Sequence, residues 1–184
     1  VDVQNDFCEG GSLAVSGGTR TARAISTYMA SPAGRDYAYL VASKDHHVRP
    51  GGHFAAEPDY VDSWPAHCVA GTPGAEFHPD LDAGRLDEVF RKGEYAAAYS
   101  AFEGVSADGT PLAGWLRARG ITEIDVAGIA TDYCVRASAI DAAKADFTTR
   151  VLIDLTAGVS ADTTVEAVEA MQAAGVELAG LDPR

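Results

Sequence analysis

Apolar positions along this chain fall in short runs of Val, Ile and Leu separated by stretches of helical spacing. Residues 1–3 read as the carboxyl end of a strand whose earlier apolar residues precede this sequence. A Gly-rich loop follows, then a helix after Gly18 with Thr19 as its expected cap. Residues 37–42, 86–91, 124–130, 150–155 and 176–179 read as five further strands. Thr110-Pro111 opens a helix that stops at Gly120, and Ser160 opens another that stops at Gly175, with Pro near the start and Gly past the end. A helix signal also starts at Thr131-Asp132 and continues through Val135, Ala139 and Ala142.

Short β-branched strands alternating with helices predict an α/β domain of Rossmann-like type. It has three layers, α/β/α, around a mostly parallel six-stranded sheet. With 184 residues, 47% of them hydrophobic, the chain suits one domain spanning 1–184. Parallel sheets of this kind bind ligands beyond the carboxyl ends of their strands. Asp2, Lys92 and Cys134 all fall at or just past such ends, so the topology predicts that three reactive side chains meet on one rim.

The regularity breaks between residues 43 and 85, where Pro50, Pro58, Pro65, Pro73 and Pro79 concentrate. A loop of that length in a compact domain is usually functional or disordered. Phe54, Tyr60, Trp64 and Phe77 argue for an ordered wall over the site. Four of the five histidines lie here within 22 residues. Asp45, His47, His53 and His67 are candidate metal ligands, because one carboxylate and three imidazoles suit one divalent transition metal ion such as Fe, Zn or Mn. A solvated loop is the alternative reading of the same spacing. His46 is the weakest member of the group, and His78 is expected to be structural.

Charge narrows the partners. A formal net charge of -13 opposes binding to nucleic acid or to an anionic membrane surface, both of which call for a basic face. The sequence has no apolar run of about 18 residues or more and no secretory pattern, which predicts a cytoplasmic protein, monomeric or homodimeric. Cys8, Cys68 and Cys134 are too few and too irregularly spaced for a secreted disulfide framework. The glycine pairs lack a nucleotide-binding framework.

Cys134 stands out among the three because it sits where a strand turns into a helix. Unpaired N–H groups and the helix dipole there favour a thiolate, and backbone N–H groups at Ala130 and Cys134 can hold an oxyanion. For a lone cysteine, packing is the alternative. As nucleophile it needs a base, for which Asp2 is the candidate, and a stabilising charge, for which Lys92 is the candidate. A helix cap or salt bridge for the aspartate and a solvated surface for the lysine are the competing readings.

Val1-Asp2-Val3-Gln4-Asn5-Asp6-Phe7, Lys44-Asp45 with His47, His53 and His67, Lys92-Gly93, and Gly128-Ile129-Ala130-Thr131-Asp132-Tyr133-Cys134-Val135 closely resemble the nicotinamidase/pyrazinamidase group of isochorismatase-like cysteine hydrolases. The resemblance covers essentially the whole chain. It implies an isochorismatase-like fold, an Asp2, Lys92 and Cys134 triad, and a metal held by Asp45, His47, His53 and His67. It also implies a cis peptide before Ala130, and Phe7, Trp64 and Tyr99 around a flat heteroaromatic ring, with Tyr133 at the rim. Tyr133 stands where near relatives in that group carry His, and His46 and Gly52 also differ from them. The implied activity is hydrolysis of nicotinamide, and of pyrazinamide, to the acid and ammonia through a thioester. The alternatives are an amidase for a non-aromatic carbamoyl or ureido substrate and a noncatalytic metal-binding or thiol-redox module.

Overall fold

The computed structural model describes residues 1–180, and the end of the expected domain, 181–184, lies outside the described residues. Five parallel strands are assigned among them: β1 (Val41–Asp45), β2 (Glu88–Lys92), β3 (Glu123–Ile129), β4 (Thr148–Ala157) and β5 (Glu177–Ala179). β1 pairs with β2, and β3, β4 and β5 form a separate sheet in that order. The expected single sheet of six strands is thus corrected to two sheets of two and three strands.

The difference lies in residues 1–3. They run between β1 and β3, where Asp2 N donates to Ser43 O at 3.1 Å and Ile129 N donates to Val1 O at 3.0 Å. Val1 N donates to Ala127 O at 2.7 Å. These bonds join the two sheets, although residues 1–3 are not assigned as a strand. Gly128 permits the close approach: a Cβ there would lie 2.0 Å from Val1 O, and its φ of 133° disfavours any side chain.

The second strand starts later than its hydrophobic pattern predicts. Tyr37 donates its hydroxyl to Asp125, and Leu40 N donates to Asp87 Oδ2 at 2.7 Å, while the strand's regular pairing with β2 begins at Val41. The other strands fall within a few residues of their expected places.

The helices are α1 (Gly18–Ala30), α2 (Pro32–Arg35), α3 (Leu112–Ala118), α4 (Arg136–Lys144) and α5 (Ala161–Ala173). α5 opens as expected, with Ser160 Oγ accepting from Thr163 N at 3.2 Å. α1 does not use Thr19 as its cap. Instead the Glu9 carboxylate reaches from the preceding loop to accept from Gly17 N at 2.6 Å and Thr19 N at 2.8 Å. Those bonds, chiefly from Thr19, lower the Glu9 pKa to about 2.

Helices cover the three-stranded sheet on both faces. Ala22, Ile25 and Met29 of α1 pack with Ile129, Leu152 and Leu155 on one side. Val135, Ala139 of α4 and Met171 of α5 pack with Val126, Val151 and Val176 on the other. A third cluster joins Phe90 of β2 to Trp115 and Leu116 of α3. Ile129 is wholly buried, and burial of a side chain of that size contributes about 2 kcal/mol. Packing on both faces therefore anchors the end of β3, from which the turn carrying Cys134 departs. Among the described residues, no helix is long and apolar enough to cross a membrane.

Candidate active site

Parallel register builds the first half of the site. Asp45 ends β1, Lys92 ends β2, and the two are register partners, so neighbouring strands deliver opposite charges to the same rim. Lys92 Nζ lies 2.5 Å from Asp45 Oδ1 and 3.0 Å from Asp2 Oδ2. It also donates to Ala98 O at 3.2 Å and to Cys134 Sγ at 3.8 Å. Asp2, Asp45, Lys92 and Cys134 are all buried. The three side chains expected to converge do so around one ammonium group.

Asp2 reaches this position with φ of 50°, in the left-handed region that costs a residue with a Cβ about 1–3 kcal/mol. Ser43 Oγ donates to Asp2 Oδ1 at 2.7 Å and holds the carboxylate in place. Gln4 does the same for Asp45 through the backbone: its Nε2 donates to Asp45 O at 2.9 Å, and its Oε1 accepts from Asp45 N at 2.8 Å. Neither Ser43 nor Gln4 was expected from sequence. Gln4 lies in the opening motif, and Ser43 lies one residue before the Lys44-Asp45 pair.

Cys134 occupies a single π-helical turn, Thr131–Val135, that leads into α4. π-turns of this kind recur at functional sites. The peptide Ile129–Ala130 is cis, as the family resemblance implies. The expected thiolate is not favoured. Burial pushes the thiol well above its ordinary value, and the Asp2 and Asp45 carboxylates add to the effect, against the opposing pull of Lys92. A helix terminus acts only over its first turn, whereas desolvation acts on the whole charge. Cys134 therefore rests as a thiol, with its sulfur in reach of Lys92 Nζ. Burial works to lower the Lys92 pKa, but Asp2 and Asp45 hold it well above the usual lysine value.

A pH prediction follows. Alkylation of Cys134 by iodoacetamide should keep accelerating past pH 9, the ordinary thiol value. A thiolate activated by a helix terminus would instead level off near about pH 7. Mass mapping of the labelled peptide across a pH series distinguishes the two profiles.

The histidines form the second half. Candidate ligand atoms of His47, His53 and His67 lie within 4.8 Å of one another, and all three residues are buried. His47 Nδ1 bonds Gly93 O at 2.6 Å, and His67 Nδ1 bonds Pro65 O at 2.7 Å. A carbonyl can only accept, so both rings carry a proton on Nδ1 and turn Nε2 inward. Those Nε2 atoms lie 3.6 and 3.9 Å from Asp45 Oδ2. His47 Nε2 and His53 Nδ1 are buried without a hydrogen-bond partner. Burial, then His47 and His67, lowers the His53 pKa to about 4, which keeps that ring neutral. Inward imidazole nitrogens without hydrogen-bond partners, beside a carboxylate, fit a divalent metal ion.

Gly93 makes this packing possible, because a Cβ there would meet His47 Cε1 at 2.5 Å. His46 stays outside the cluster, and His78 bonds Asp80 N and Thr19, as their expected roles require.

Aromatic side chains wall the mouth. Trp64 Nε1 donates to Tyr99 Oη at 3.0 Å, Trp64 meets Tyr133 edge-on at 5.1 Å, and Phe7 packs on His67 at 5.4 Å. Together with Cys134, Ala130, Asp45, His53 and His67 they line a cavity of about 50 Å³. A larger cavity of about 260 Å³ lies in the seam between β1 and β3. Asp2 borders it, but neither Lys92, Cys134 nor any histidine does, and Ile25, Leu81, Phe90 and Leu152 make its wall apolar. Cys134, Asp45, His53 and His67 line the smaller cavity, while Asp2 borders the larger one and Lys92 lies between its partners without lining either.

Val159 also lines that cavity, and Asp132 explains its position. The buried Asp132 carboxylate accepts from Val159 N at 3.0 Å, Ser160 N at 3.3 Å and Thr163 Oγ1 at 2.5 Å. The loop before α5 is thereby fastened to the turn carrying Cys134. A helix-opening Asp gives no sequence signal of this long-range role.

With this geometry in place, comparison with known proteins is informative. The family model described as isochorismatase domain matches residues 1–182. The chain is 64% identical to the nicotinamidase/pyrazinamidase of Mycobacterium tuberculosis over 178 residues, covering 97% of this chain and 95% of that protein. Among solved structures, the L. infantum PnC1 complex with nicotinate has a TM-score of 0.84 at 35% identity, covering 97% of this chain and 89% of that one. The Pyrococcus horikoshii pyrazinamidase in complex with zinc has a TM-score of 0.83 at 34% identity, covering 98% and 96%.

Proposed function

The chain belongs to the isochorismatase domain family, and from that membership we propose that Asp2, Lys92 and Cys134 carry out its hydrolysis of the nicotinamide carboxamide C–N bond. The protein is a hydrolase of nicotinamide that also acts on pyrazinamide. The observation that most supports the triad is the single buried ammonium of Lys92 in reach of Asp2, Asp45 and Cys134. In this reading residues 1–184 form one domain of three layers, with the segment at about 43–85 as its metal-binding loop.

Asp2 takes the proton from the Cys134 thiol as sulfur attacks the carboxamide carbon and the C–S bond forms. N–H groups of Ala130 and Cys134 receive the charge that develops on oxygen. Asp2 then passes its proton to the nitrogen, the C–N bond breaks, and ammonia leaves a thioester on Cys134. Asp2 next removes a proton from water, which attacks the thioester carbon; the C–S bond breaks, nicotinate is released and the thiol is restored. Lys92 keeps the alternation of charge between Asp2 and sulfur affordable in a buried site. Phe7, Trp64, Tyr99 and Tyr133 clamp the flat ring.

Asp45, His47, His53 and His67 would hold the metal, for which Fe, Zn and Mn suit the donor set. When bound, it supplies a Lewis-acid point for the ring nitrogen of the substrate. An ammonia-release assay over a panel of amides, before and after verified metal removal, tests the reading. Chelation should raise KM for nicotinamide and pyrazinamide about ten-fold or more, the scale of one lost orienting contact. Benzamide, which lacks the ring nitrogen, should change little. An identical response of all three to metal removal would contradict the ring-positioning role.

A further inference from the structure

The reacting cluster and the histidine cluster share one side chain. Asp45 offers Oδ1 to Lys92 Nζ at 2.5 Å, while its Oδ2 faces His47 Nε2 at 3.6 Å and His67 Nε2 at 3.9 Å. The arrangement follows from the register that places Asp45 beside Lys92 at the strand ends. Both residues are 2% exposed, so little solvent screens the charge between them.

Resting on the reading of Asp45 and the three histidines as a metal centre, we propose that Lys92 sets the affinity of that centre by competing for the charge of Asp45. Lys92 draws on the same carboxylate that a divalent cation must use, and its own positive charge repels that cation. Asp2 opposes this, because its Oδ2 at 3.0 Å holds part of the Lys92 charge away from Asp45. The linkage is reciprocal in free energy. Asp45, when shared with a cation, has less charge to give Lys92, whose ammonium then bears more strongly on Asp2 and on the Cys134 sulfur 3.8 Å away. Metal loading thereby adjusts the reacting trio as well as the substrate ring.

The test measures zinc affinity of the metal-stripped full chain by competition with a chromogenic chelator, with no turnover involved. Lys92→Met should bind zinc about ten-fold more tightly than the unsubstituted chain, and Asp2→Asn about five-fold more weakly, within the usual range of coupling between sites. Lys92→Arg, which keeps the charge, should stay within about two-fold. A merely structural role predicts weaker binding for both charge-removing variants, so opposite signs support the proposal. Equal or weaker zinc binding by natively folded Lys92→Met overturns it. If Lys92→Met does not fold, Asp2→Asn decides, and unchanged or tighter zinc binding there overturns the proposal. Failure of the unsubstituted chain to bind zinc would overturn the metal-centre reading and the linkage together, whereas zinc binding indifferent to position 92 overturns the linkage alone.

Discussion

Cys134→Ala is expected to lower kcat for nicotinamide by about a hundred-thousand-fold or more, as when the nucleophile is removed from a hydrolase whose catalytic groups act as a unit. The side chain is 7% exposed and loses only its sulfur, so the far-ultraviolet circular dichroism and thermal midpoint should change little. Zinc binding should also persist, because none of the histidine contacts passes through the sulfur. Ammonia release checks the first expectation, and mass spectrometry should find an acyl adduct on the unsubstituted chain that is absent from the variant. Retention of more than about one per cent of kcat would move the nucleophile elsewhere, since general acid–base groups alone contribute about a hundred- to ten-thousand-fold.

Asp2→Asn is expected to lower kcat about a thousand-fold, the ordinary scale of a lost general base. Asn is the informative replacement, because it tolerates the left-handed φ of 50° and can still accept from Ser43 Oγ, whereas Ala would add backbone strain. The same variant makes a prediction of opposite sign. Asp2 is among the groups that hold the Cys134 thiol high, so removing its charge should speed iodoacetamide alkylation of Cys134 at pH 8 while amidase activity falls. Cys8 and Cys68, both wholly buried and free, serve as internal controls: their protection shows that the fold has not opened. Slower alkylation of Cys134 would show that the Asp2 charge does not hold the thiol high.

Much of this site is legible in the chain. Asp2, Lys92 and Cys134 can be placed at strand ends because a buried parallel strand leaves a continuous apolar run, and its end is marked by the first polar residue or turn. Asp45 and His47 share a side for the same reason of period two. The sheet assignment was less legible, because hydrophobic runs locate strands but not the ladder bonds between them. Residues 1–3 therefore read as a strand although they make only a few separate bonds to β1 and β3. Glu9 and Asp132 were missed because each serves a segment distant in sequence, Glu9 at the start of α1 and Asp132 at the start of α5.

The amino-acid sequence by itself determined the alternation of strands and helices, the family, and which side chains are available for nucleophile, base, cation and metal ligand. These are local properties of pattern and residue type. Only the tertiary structure decided that Cys134 rests protonated and that one carboxylate, Asp45, serves both clusters. Protonation depends on desolvation and on every nearby charge, and those fields exist only once residues 2, 45, 92 and 134 have been brought out of water and into contact.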